Sequence, residues 1–192
     1  MTDASLLIER LNAHMGRSVF TPGKCTFSEE KLPFYQGVTL ISATTLTTVP
    51  MITRRFVGDA ENLVTLDGTE ECMEEINTRF PPVLNDENVL AYLDFYLSAV
   101  RTEQGYFRFI RSTQDLNMNV EEGHELISVM NKLIVPPAVT KDGNAYFIKG
   151  FILLNTTLYH TELTVLADGD IEMTDARPAY ENLPVPVHEM LR

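Results

Sequence analysis

The chain has 192 residues, a formal net charge of -12 and an ordinary globular composition, with 44% hydrophobic residues, which excludes disorder for most of its length. Because a strongly acidic surface repels phosphate groups, nucleic-acid binding and docking on an anionic membrane are both disfavoured. The two cysteines, Cys25 and Cys72, are too few for a disulfide framework and lack the spacing of metal ligands.

The first third of the chain combines one helical pattern with several β-type runs. Apolar residues at helical spacing over residues 4–15, with Asp3 as the cap and Gly16 after the end, predict an amphipathic helix. Residues 17–37 are interpreted as a loop with room for a short strand. Runs rich in β-branched residues then predict strands within 38–49, 51–57 and 63–66.

A second helix is predicted over roughly residues 69–79, with Asp67 or Thr69 as its cap. Its early turns carry four glutamates, where the helix dipole favours negative charge. The apolar side is narrow, which is typical of a surface helix. Pro81 and Pro82 end it.

The clearest helical pattern covers residues 86–104 and is followed by Gly105 and a predicted strand at 106–111. We expect this long amphipathic helix to fold back on a sheet. Residues 113–135 are ambiguous, since helical spacing over 120–135 ends in a β-branched stretch. A helix that continues into an extended segment is the interpretation there.

The last third predicts a three-stranded antiparallel meander. Residues 145–154 and 157–166 are rich in aromatic and β-branched residues, and they flank Asn155-Thr156. The pair Asp168-Gly169 is a strong turn signal before a third run. Gly150 interrupts the first strand and is interpreted as a bulge or bend.

These elements predict an α+β fold. The expected architecture is a single curved antiparallel sheet, built from the C-terminal meander, covered by helix 86–104, with smaller N-terminal helices. No linker or repeat divides the chain, so one domain is expected over residues 1–192, with 177–192 as an extended C-terminal tail.

No stereotyped catalytic, phosphate-binding or metal-binding motif occurs in the sequence, so no catalytic residue, metal or cofactor is assigned. The best polar constellation lies on strands. His160 and Glu162 share one strand face about 7 Å apart, and Arg108 could project from the same side. With Tyr146, these residues are candidates for a ligand pocket, although an alternating polar face is also typical of a solvated sheet.

The leading hypothesis is a non-catalytic cytoplasmic binding or protein-interaction module that associates with an unknown protein partner or with itself. The acidic residues are spread evenly, 14 in residues 1–96 and 13 in 97–192. The alternative is a small-molecule-binding protein or an enzyme with a pocket between helix 86–104 and the curved sheet. A third hypothesis is an acidic surface that mimics a nucleic acid toward a basic partner.

Overall fold

The chain forms two compact units, Met1–Asp67 and Gly68–Arg192, in a computed structural model that describes residues 4–121 and 124–186. Four α-helices and two antiparallel sheets within these residues confirm the α+β class. The prediction of one sheet is wrong, because the first four strands form a sheet of their own. A single domain over residues 1–192 stays a prediction, since a compact unit need not fold alone.

The first unit contains one helix and a four-stranded antiparallel meander in the order β1-β2-β3-β4. The elements are α1 (Ala4–His14), β1 (Cys25–Lys31), β2 (Thr39–Thr45), β3 (Ile52–Gly58) and β4 (Leu63–Thr65).

The apolar stripe predicted for the first helix forms the core of this unit. Leu7, Ile8 and Leu11 of α1 are buried in one cluster with Phe20 and with sheet residues such as Phe56. The predicted helix 4–15 is therefore confirmed to within one residue. Its predicted cap, Asp3, lies outside the described residues.

The second unit contains three helices and a strongly curled antiparallel sheet in the order β10-β9-β8-β6-β5, with β7 also paired to β8. Its elements are α2 (Glu70–Arg79), α3 (Val89–Ala99), β5 (Arg101–Thr102), β6 (Gly105–Ile110), a 3-10 helix (Thr113–Leu116), α4 (Glu125–Leu133), β7 (Ala138–Asp142), β8 (Ala145–Leu154), β9 (Thr157–Leu166) and β10 (Ile171–Tyr180).

The predicted C-terminal meander is confirmed as β8, β9 and β10. Asn155, in the turn between β8 and β9, has φ +55°, a conformation that asparagine tolerates better than most residues. Gly150 is not a bulge: it pairs in regular register with Thr161. A Cβ there would stand 3.0 Å from the Phe109 ring, so the glycine permits a close approach of that ring.

The helix predicted over 86–104 is shorter than expected and ends at Ala99. Val100 is extended, and Arg101 and Thr102 pair with Tyr106 and Gly105 as a two-stranded hairpin. The β-branched Val100 and Thr102 favour this extended backbone over another helical turn. That α3 covers the sheet stays a prediction.

The ambiguous segment 113–135 contains the 3-10 helix and α4, and the unpredicted strand β7 follows it. Met130 of α4 is buried in a cluster with residues from the sheet such as Phe151 and Leu158. The predicted tail 177–192 needs correction, because residues 177–180 belong to β10. Residues 187–192 lie outside the described residues.

Candidate functional site

Three of the four residues predicted to line a pocket share one face of the curled sheet. His160 pairs with Phe151, Glu162 with Lys149, and Arg108 with Leu153, and all of these positions have the same parity along the strands. Tyr146 has the opposite parity and therefore lies on the other face. The structure thus brings three predicted residues to one side and separates the fourth.

Glu162 and His160 are both partly buried, and they have different neighbours on this face. The Glu162 carboxylate forms an ion pair with Lys149 at 2.6 Å, and both side chains are about half exposed. His160 packs edge-on against the buried Phe151 ring, with 5.3 Å between ring centroids. Across the next strand, Asp175 and Arg177 form a second ion pair at 2.9 Å. This face is therefore exposed and ion-paired at Lys149 and Glu162, and it is part of the core at Phe151 and Leu153.

Arg108 and Tyr146 are engaged elsewhere. The Arg108 guanidinium reaches the carbonyl oxygens of Asp115 and Leu116 at 3.5 Å, and burial lowers its pKa from the usual value. Tyr146 is buried, and the Lys141 ammonium lies 4.8 Å from the centre of its ring.

Replacing Glu162 with alanine is expected to change the free energy of unfolding by less than ~0.5 kcal/mol, because exposed ion pairs contribute little. Urea denaturation measures the change. Glu172→Ala, an exposed position on β10, is the matched control and should behave alike. A decrease in the free energy of unfolding clearly larger than that of the control would show that the Lys149–Glu162 ion pair contributes to the stability of the fold.

A cavity of about 610 Å³ lies elsewhere in the second unit, between α2, one residue of α3 and the turn from β9 to β10. Its lining consists mainly of acidic, polar and small apolar side chains: Glu70, Met73, Glu74, Asn77, Thr78, Pro81, Pro82, Tyr96 and residues 167–171. We call this the acidic cavity.

Helix α2 supplies one wall. Thr69 begins the helix by accepting a hydrogen bond from the Cys72 N–H at 3.1 Å. Glu70, Glu74 and Asn77 follow at i, i+4 and i+7, so their side chains lie along one side of the helix. Glu70, Glu74 and Asn77 therefore all contribute to the lining of the cavity.

The β9–β10 turn supplies the opposite wall and is fastened to the helices. The Tyr92 hydroxyl donates to the Gly169 carbonyl at 2.6 Å and accepts from the Asn77 amide at 2.8 Å. Gly169 itself is buried, whereas Asp168 and Asp170 on either side of it are exposed. This buried hydrogen-bond chain therefore positions two carboxylates at the cavity.

Tyr96 of α3 also lines the cavity, and carboxylates of both α2 and the β9–β10 turn affect the pKa of its phenol. Burial, followed by the negative charges of Glu70, Asp170 and Glu74, raises the pKa of Tyr96 to about 12. The phenol therefore stays protonated and can donate a hydrogen bond at neutral pH. Its ring also offers a face to a cation.

The arrangement is suited to binding positive charge. Four carboxylates that line one cleft, those of Glu70, Glu74, Asp168 and Asp170, concentrate a negative potential in it, which attracts a cation. No group of three His, Cys, Asp or Glu side chains among residues 4–121 and 124–186 is arranged to hold a metal ion. The described lining includes no histidine, lysine or cysteine.

The fold and the cavity define an α+β protein with an acidic cavity in its second unit. No family model matches the chain, and neither a curated protein nor a solved structure is significantly similar to it. Each helix within the described ranges is too short or too polar to cross a lipid bilayer.

Sequence reasoning noticed the parts of this cavity but not the cavity. The glutamates of α2 were explained by the helix dipole, and Asp168-Gly169-Asp170 was explained by a hairpin turn. Those explanations hold locally. Nothing in the sequence signals that the two segments, almost a hundred residues apart, face each other. The sequence shows only that Glu70 and Glu74 lie at helical spacing, which places both carboxylates on one side of α2.

Proposed function

We propose that this protein is a non-catalytic cytoplasmic interaction module that binds a basic segment of a partner protein in the acidic cavity. The observation that carries the proposal is that Glu70 and Glu74 line the same cavity as Asp168, Asp170 and Tyr96. Carboxylates attract lysine and arginine side chains, while the tyrosine ring and neighbouring prolines contact their aliphatic stems.

The distribution of charge between the two units supports this proposal. The first unit contains 7 acidic residues and 6 lysines or arginines, a net charge of -1, whereas the second contains 20 and 9, a net charge of -11. The even distribution found between residues 1–96 and 97–192 thus concealed an imbalance between the units. A basic partner would be steered toward the second unit.

The test is binding of a fluorescently labelled oligolysine peptide, measured by fluorescence anisotropy. We expect binding that weakens as salt is added, because exposed charges are screened. The double variant Glu70→Gln and Glu74→Gln is expected to weaken binding roughly tenfold.

The matched control is the double variant Glu121→Gln and Glu125→Gln, which removes the same charge at the same separation in sequence from exposed positions outside the cavity. Its affinity should stay close to that of the unmodified protein. Equal weakening by both variants would mean that oligolysine responds to net charge alone, and the cavity would lose its assigned role.

A second candidate function is binding of a small organic cation in the same cavity. The volume of about 610 Å³ favours it, since ligand pockets commonly measure roughly 300–1,000 Å³. Titration calorimetry with spermidine separates the two functions. Tight binding of spermidine together with negligible binding of oligolysine would favour the small ligand.

A further inference from the structure

The hairpin between β2 and β3 ends in an exposed apolar tip, residues 46–52. Val49 is fully exposed, and Leu46, Met51 and Ile52 are 47%, 61% and 47% exposed. The last cross-strand pair is Thr45 with Ile52, so the rest of the tip lies beyond the paired strands. Large apolar side chains grouped in this way commonly mark an interaction site.

The surroundings of this hairpin tip are basic, unlike most of the chain. Residues 32–58 contain no aspartate or glutamate, and Arg54 and Arg55 pair with Ala43 and Ser42, close to the tip end of β2. Lys24 is exposed, and its carbonyl accepts a hydrogen bond from the Leu46 N–H at 2.9 Å. An apolar surface with neighbouring cations is therefore complementary to a partner surface that combines apolar groups with negative charge.

The acidic cavity offers that combination. Its carboxylates Glu70, Glu74, Asp168 and Asp170 accompany apolar lining from residues such as Met73. We propose that the hairpin tip of one copy of this chain docks in the acidic cavity of a second copy. The inference rests on the proposed function, because it names the partner that this same cavity binds.

The physical balance favours a second copy over a lipid surface. Charge repulsion does not distinguish these two occupants, because a bilayer and a second copy are both anionic and repulsion from either is largely screened beyond ~8 Å at physiological ionic strength. A second copy is favoured because its acidic cavity of about 610 Å³ places carboxylates beside apolar lining residues such as Met73 in a cleft that can receive a projecting hairpin. Unlike surfaces that meet in this way give a closed dimer if two copies exchange tips, and longer assemblies otherwise.

The test is sedimentation velocity of the full chain over a range of concentrations. We expect concentration-dependent association, and we expect the double variant Val49→Ser and Met51→Ser to weaken it at least ~tenfold. This tip variant should keep the circular dichroism spectrum of the unmodified protein, because the replaced side chains are exposed. It should also keep its affinity for oligolysine. Val129→Ser, at an exposed position on α4, is the matched control and should associate normally.

Mixing variants makes the test specific. The tip variant and the variant Glu70→Gln with Glu74→Gln should each associate at least ~tenfold more weakly than the unmodified chain when alone. Their mixture should form heterodimers, because the intact tip of one meets the intact cavity of the other. Such complementation is not expected if the substitutions merely damage folding.

Three results would overturn the inference: a protein that stays monomeric at every concentration, a tip variant that associates like the unmodified chain, or variants that do not complement each other. Co-sedimentation of the monomeric protein with phosphatidylserine vesicles would instead show that the tip binds a lipid surface. A monomer that still binds oligolysine through the cavity refutes only this inference, whereas absence of oligolysine binding refutes the proposed function.

Discussion

Replacing Gly169 with alanine is expected to lower the free energy of unfolding by about 3 kcal/mol or more. Gly169 has φ +89°, a conformation that side chains strain. A Cβ would also collide with the Tyr92 hydroxyl and stand 2.6 Å from the Asn77 amide nitrogen. The variant therefore disrupts the buried hydrogen bonds that fasten the β9–β10 turn. Urea denaturation followed by circular dichroism measures the loss.

The β7–β8 turn provides a matched control for this substitution. Gly143 has φ +57°, but a Cβ there would meet no atom within 4 Å. Gly143→Ala is therefore expected to cost only the backbone strain, about 1–2 kcal/mol. The difference between the two variants isolates the contact with Tyr92 and Asn77. Equal losses would show that backbone strain alone explains the glycine.

Replacing Tyr92 with phenylalanine is expected to destabilise the protein by about 2 kcal/mol, since it removes a buried hydroxyl that both donates and accepts. The Gly169 carbonyl and the Asn77 amide lose this partner, while the ring and its packing remain. The oligolysine affinity should fall as well, because the turn that carries Asp168 and Asp170 loses an anchor. Denaturation and anisotropy measure the two effects.

Tyr159→Phe is the control for the loss of a tyrosine hydroxyl. Tyr159 is half-buried on β9. Loss of its hydroxyl should change the free energy of unfolding by less than ~0.5 kcal/mol. A Tyr92→Phe variant as stable as this control would mean that the hydroxyl does not fasten the turn. The explanation of the acidic cavity through the Tyr92 hydrogen bonds would then be wrong.

The two hypotheses for function now depend on different surfaces from those that the sequence indicated. The sequence pointed to the polar face of β9, where Glu162 is ion-paired and His160 packs on Phe151. The proposed interaction instead uses carboxylates from a helix and a turn. Period-two alternation along one strand was visible in the sequence, but it could not separate a binding face from a solvated one.

The sequence by itself determined the local elements of this protein. Side-chain periodicity and β-branched content predicted α1 and the strands of the C-terminal meander, while Thr69 and the Asp168-Gly169 pair marked a helix start and a turn. These features depend on interactions between residues close in the chain, so a reader of the sequence can evaluate them. The α+β class follows from them.

Only the tertiary structure decided how these elements pair and what they enclose. Backbone hydrogen bonding separated the strands into two sheets, paired Arg101 with Tyr106 beyond the end of α3 and placed Tyr146 on the face opposite His160. One wall of the acidic cavity is the β9–β10 turn, and the Tyr92 hydroxyl holds this turn by a hydrogen bond to the Gly169 carbonyl, 77 residues away in sequence. Such contacts release free energy only after long loops have closed, and the sequence near each partner carries no record of which distant residue it will meet.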